Sequence, residues 1–203
     1  PRSTAASRPA VLGGAGTRTG IVRAFAAGSG LPTTVLESRA EVARLTRNVT
    51  VQGRAETADP ASPDYQFGGQ VIAMGESRLR LDSVELTRMG QAGLLLRYPV
   101  HWHLMGDAGA GSFVRNSSLH GLYNRCFTIH GTNGVLLEGN AAFDAFGHCY
   151  FLEDGAEAAN VLRGNLALQV RKPAAANAIL PTDRSHMGPA AFWITNPANE
   201  LVG

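Results

Sequence analysis

Lysine is almost missing from this chain: of its 18 basic residues only Lys172 is a lysine, and the rest are arginines scattered along the sequence. With a formal net charge of only +2 no basic patch is implied, and nucleic acid is set aside as a partner. Long apolar runs are absent too. None approaches the roughly 18 residues that a membrane span needs. Cysteine is scarce, with two in 203 residues, too few for a disulfide framework, so the redox compartment is left open. No helix-period pattern of useful length occurs. A start methionine and a signal-peptide pattern are also lacking at Pro1, and the chain is read as a fragment of a larger protein. What is present is 44% hydrophobic content, enough to bury a core of one domain.

Residues 1–34 are rich in Gly, Ala, Ser, Thr and Arg and read as an irregular lead-in. From Val35 the character changes, and residues 35–203 are expected to form one β domain. Val49 to Val51, β-branched and closed by Gly53, is the first clear strand. A loop follows over residues 54–68, marked by Asp59-Pro60 and Ser62-Pro63. Beyond it the sequence repeats. Asn116, Asn140 and Asn165 each follow a short strand, at spacings of 24 and 25. A second series runs beside them: Arg125 to Gly131 and His148 to Gly155 are offset by 23, with Tyr98 to His103 and Ala190 to Asn196 of the same shape before and after. Two short strands and a polar turn Asn per period of about 24 residues fit an all-β parallel β-helix, whose coils stack in register. The three asparagines are expected to form a structural ladder.

Stacking in register turns spacing into adjacency, since equivalent residues of neighbouring coils lie about 4.8 Å apart. The pattern RYPVHWHLMGD puts His101 and His103 on one face of a strand and Val100, Trp102 and Leu104 on the other. Aligning Trp102, Ile129, Leu152 and Ile194 brings His103, His130, Glu153 and Thr195 into one outward column. Asp154 follows directly, and His148 sits at the mouth of its coil. His101, His103 and His130 are the candidate metal ligands, and Glu153, Asp154, His148 and Asp183 the candidate catalytic groups. Imidazoles suit a divalent transition metal, while calcium wants oxygen and would take a separate place at Asp107 or Asp154. The competing reading is a solvated polar ladder. The same alignment stacks Cys126 on Cys149, read as small core residues rather than a disulfide. His120 and His186 have no evident partner. The repeat is interrupted from Arg171 to Gly188, and this excursion is expected to fold over the His/Glu face and bring Asp183 or Arg184 near His130.

Arg39-Ala-Glu-Val, Thr46-Arg-Asn48, Arg97-Tyr-Pro-Val-His-Trp-His103 with Gly106-Asp107, His130-Gly-Thr-Asn-Gly134, Gly147-His-Cys149 with Glu153-Asp-Gly155, Asp183-Arg184 and Phe192-Trp-Ile-Thr-Asn196 occur in that order. Over residues 37 to 200 this set resembles the β-helix region of the G8-domain proteins, which include the cell migration-inducing and transmembrane hyaluronidases and fibrocystin. The resemblance implies a right-handed parallel β-helix, a secreted or extracellular setting and, for the hyaluronidase members, cleavage of hyaluronan with a calcium requirement. Leu96 and Thr182 depart from the Gly and Ser usual at those places. An acidic polysaccharide such as hyaluronan is therefore the expected partner, with Arg97 and Arg184 pairing to its carboxylates and Trp102 and Asp107 beside them. The alternative is a glycan-binding or structural β-helix module without turnover.

Overall fold

The computed structural model describes residues 43–203 and, as backbone alone, two short strands before them. Those strands, β1 (Gly20–Arg23) and β2 (Val35–Ser38), pair antiparallel. The chain's contacts divide it between Arg44 and Leu45, where the sequence reading put the change of character at Val35. Most of the lead-in, residues 1–19 and 24–34, lies outside the described residues.

From Leu45 onward the chain winds as five coils of three strands. The first coil holds β3 (Val49–Gln52), β4 (Val71–Met74) and β5 (Arg80–Asp82), the second β6 (Val84–Thr87), β7 (Val100–Gly106) and β8 (Phe113–Arg115). The third holds β9 (Ser118–His120), β10 (Phe127–Thr132) and β11 (Leu136–Glu138), the fourth β12 (Ala141–Phe146), β13 (Tyr150–Leu152) and β14 (Val161–Arg163). The last holds β15 (Leu166–Arg171), β16 (Phe192–Trp193) and β17 (Glu200–Val202). Every third strand joins the same sheet, giving three five-stranded parallel sheets. This is a right-handed parallel β-helix, with three strands per coil where the spacing suggested two. The strand missed in each period is the one that follows the asparagine, such as Ser118–His120 or Ala141–Phe146.

Inward residues stack into one core, in which Trp102, Ile129 and Leu152 lie in register with Val100, Phe127 and Tyr150 two residues before them. The asparagine ladder is real but begins one residue later than expected. Ala141 pairs with Ser118 and Leu166, so Asn140 and Asn165 stack while Ser117 occupies the preceding rung. Asn140 donates to the Val114 carbonyl at 2.8 Å and to the Asn165 side chain at 3.0 Å, and accepts from the Ser117 N–H at 3.0 Å. Asn116 instead takes φ 51° and donates to Asp82. A second ladder stands at another corner, where Asn160 donates to the Thr132 carbonyl and to Asn199.

The cysteine reading is corrected. Cys126 and Cys149 form a disulfide between adjacent coils, with Cα atoms 4.5 Å apart. In-register stacking is itself the reason: it brings two buried thiols on neighbouring strands within the separation that a disulfide bridges.

Candidate metal centre

The sheet of β4, β7, β10, β13 and β16 carries the site on its outer face. Alternation along β7 sends Val100 and Trp102 into the core and His101 and His103 outward. His103 pairs in register with His130, and Glu153 follows Leu152, the partner of Ile129. The column therefore reads Met74, His103, His130, Glu153. Leu104 departs from the alternation expected of it. It adopts φ 50° and is 60% exposed, while Met105 takes the next core place. The register slips between His130 and Thr132 to accommodate this bulge, and Gly131 opposite has no Cβ to collide with the Leu104 side chain. The bulge falls on the residue that follows His103 and leaves the column itself in register.

Ligand atoms of His101, His103 and His130 all lie within 4.8 Å of one another. The Nδ1 atoms of His103 and His130 are 3.1 Å apart, and the His130 Nε2 lies 2.8 Å from Asp154. Glu153 stands 3.7 Å from the other nitrogen of His130 and accepts a hydrogen bond from the Tyr98 hydroxyl at 3.2 Å. His101 is 1% exposed, and neither of its ring nitrogens has a hydrogen-bond partner. A buried polar group normally finds one; here the Leu96 backbone is the one polar group besides the two imidazoles that acts on the ring, short of a well-formed hydrogen bond.

Electrostatics favour neutral imidazole here. Burial, reinforced by His103 and His130, pushes the His101 ring down to about 3. Burial and then His130 also lower His103. The Glu153 carboxyl is raised by burial, against the pull of His130 and Tyr98. Tyr98 is pushed up to about 12 by burial and by Glu153. The neutral ring is the form that ligates a metal. Donors at about 2.0–2.1 Å on a tetrahedral zinc stand about 3.4 Å apart, so a pair at the 4.8 Å limit must close by about 1.4 Å, which takes rotation of the rings. The donor group is all imidazole, which fits a transition ion better than calcium. Asp107, one of the two places considered for calcium, bonds Asn133 at 2.8 Å.

The chain matches the family model described as the CEMIP β-helix over residues 66–203. It is 38% identical to human cell surface hyaluronidase CEMIP2 across 82% of its own length and 14% of that protein. Human fibrocystin-L is 37% identical across 83% of this chain and 5% of its own, and a G8 domain-containing protein of Dictyostelium discoideum is 40% identical across 82% and 12%. The chain belongs to the CEMIP β-helix family. It spans a small part of each of these relatives.

Several expected site residues of this CEMIP β-helix lie elsewhere. Trp102 is fully buried; it points into the core, so no glycan can stack on it. His148 and Asp183 are each 1% exposed and belong to a buried network. Asp183 accepts from Arg125 at 2.9 Å, and His148 Nε2 meets the Thr182 hydroxyl at 3.0 Å while its Nδ1 accepts from the Ala190 N–H. Burial of Asp183 works to raise its carboxyl, but Arg125 overrides this and holds it low. Burial, and Arg125 after it, push His148 down to about 4. The excursion does pack on the outer face of this sheet: its Asp183 pairs with Arg125, which stacks on Phe151, and its Thr182 meets His148, which stacks on Trp193. Its docking point is Arg125 and not His130. Arg184 bonds the Pro173 carbonyl, and Arg97 is exposed.

One functional residue escaped the sequence reading. Glu157 is fully buried, and its carboxylate accepts from the N–H groups of Gly131, Asp154 and Gly155 at 2.8–2.9 Å. It ties the turn after His130 to the turn carrying Asp154. Its only sequence signal is an acid three residues past Asp154 in a Gly/Ala-rich stretch.

Proposed function

We propose that His101, His103 and His130 hold a divalent transition metal and that this chain cuts an acidic polysaccharide, such as hyaluronan, lying along the same face. The carrying observation is the buried His101 ring, kept neutral and without a well-formed hydrogen bond on either nitrogen, beside two further imidazoles. When bound, the metal would supply Lewis-acid polarisation of a substrate oxygen or its water. Asp154 orients His130 through the 2.8 Å contact, as outer carboxylates commonly do for ligating histidines. Glu153, with its carboxyl raised by burial and the Tyr98 hydroxyl on one oxygen, is suited to hold or deliver a proton. Its other oxygen is buried without a hydrogen bond and faces the His130 Nδ1 at 3.7 Å. The arginines Arg97 and Arg184 are the proposed carboxylate-pairing groups at the margins.

Two findings support an extracellular setting. The Cys126–Cys149 disulfide suits an oxidising compartment, and one relative is named for the cell surface. Hyaluronan depolymerisation, followed by chain-length analysis with and without a chelator, tests the reading. Cleavage that the chelator abolishes and added zinc restores is the expected outcome. Binding without cleavage under either condition would leave a glycan-binding module in its place.

A further inference from the structure

Two excursions leave the β-helix at the corner before the His sheet, and they meet there. The loop between β3 and β4 carries Tyr65, Gln66 and Phe67, and the stretch after β15 carries Asn177. Together with Tyr123 and Phe146 they line a cavity of about 440 Å³, within the range of small-molecule sites. Tyr65 and Phe67 are 44% and 54% exposed, more than a folding core explains for two aromatics so close in sequence.

Both loops are held in place. Gln66 takes φ 59°, and this turn sits between the two aromatics. The Gln66 N–H donates to the Thr57 carbonyl at 2.8 Å, the Ala92 N–H donates to the Gln66 carbonyl at 3.0 Å, and Thr57 meets the Tyr123 hydroxyl at 3.0 Å. The aromatic surface is therefore preformed, which reduces the ordering cost of binding. No charged side chain lines the cavity. Arg171, stacked on Phe146, is neutralised by Asp144. The side-chain amides of Gln66 and Asn177 have no hydrogen-bond partner among the described residues, and each offers both a donor and an acceptor.

Flat aromatic faces with unpaired amides and no charge match the two sides of a pyranose ring, its C–H face and its equatorial hydroxyls. Anionic ligands such as nucleotides would find no cation there. We infer that this cavity is a glycan subsite for an uncharged pyranose, a neutral hexose or N-acetylhexosamine unit, separate from the His cluster. The inference rests on the glycan reading above for its substrate class. Tyr123 and His130 are seven residues apart on one coil, at most about 25 Å, a distance within the span of a short oligosaccharide. One sugar would sit in the cavity while a later unit of the same chain lies over Glu153.

Calorimetric titration of the full chain with N-acetylglucosamine tetramer, hyaluronan hexasaccharide and oligogalacturonate tests this. The first two are expected to bind and the wholly acidic oligomer is not. Tyr65→Ala combined with Phe67→Ala should weaken tetramer binding about tenfold or more, the loss of roughly 1.4 kcal/mol, with an unchanged melting temperature. His103→Ala should leave it intact. No heat with the tetramer, or equal affinity in the double variant, would overturn the subsite. Tetramer binding without any hyaluronan cleavage would sink the enzymatic reading alone, and cleavage without tetramer binding would sink the subsite alone.

Discussion

Glu157 shows how one buried side chain can set the geometry of a site it does not enter. Three backbone N–H groups from two turns converge on its carboxylate, and removing it leaves all three unpaired in part-buried turns. Glu157→Ala is expected to cost about 2–5 kcal/mol, a fall in melting temperature of roughly 5–15 °C for a domain of this size. Glu157→Gln, which keeps one acceptor oxygen, should lose less, and the ordering of the two variants checks the claim. His101 carries a different signature. Its ring is driven down to about 3 in the folded protein, against about 6.5 in an unfolded chain. Above pH 6.5 both forms are neutral and the residue is silent. As pH falls from 6.5 towards 3 the unfolded chain gains a proton that the folded one refuses, and stability is lost. His101→Leu should flatten that acid-side loss. Urea melts at pH 7 and pH 5, without added metal, measure it. An equal loss between the two pH values in wild type and variant would show that His101 is not held neutral.

At the scale of elements, the His column was legible because a parallel β-helix converts sequence period into contact. Once Trp102, Ile129 and Leu152 were aligned as core positions, His103, His130 and Glu153 had to stack. What the alignment could not show is where the backbone leaves the ideal. The left-handed turn at Leu104 and the placement of Asn116 one residue ahead of the ladder are local φ choices that no residue type in those stretches demands. The disulfide was misread although the same stacking already put the two cysteines about 4.8 Å apart, within bridging distance. Residues 171–188 were expected to fold over the His/Glu column near His130; they dock instead at Arg125, which had been counted only as part of a repeat. The bridge makes its own prediction. Cys126 and Cys149 close a loop of 23 residues, and replacing both by serine is expected to cost about 2–4 kcal/mol. Denaturant melts of the oxidised protein and the double variant read this directly. Equal stability would mean that stacking alone holds the two coils.

For the whole molecule, the β-helix acts as a rigid rack. Its three parallel sheets hold the core, and the candidate metal ligands stand on the outer face of one of them. Such a scaffold fixes ligand positions without help from flexible loops, which is what a metal site needs. Family membership fixes the fold, and activity has to be argued from these side chains. The sharpest single test is anomalous diffraction from crystals of the full chain soaked in zinc, recorded on both sides of the zinc edge. One peak bounded by His101, His103 and His130, absent in His103→Ala, is the expected result. No peak at the three imidazoles, or a peak only among carboxylates elsewhere, would contradict the metal centre and leave the column a polar ladder.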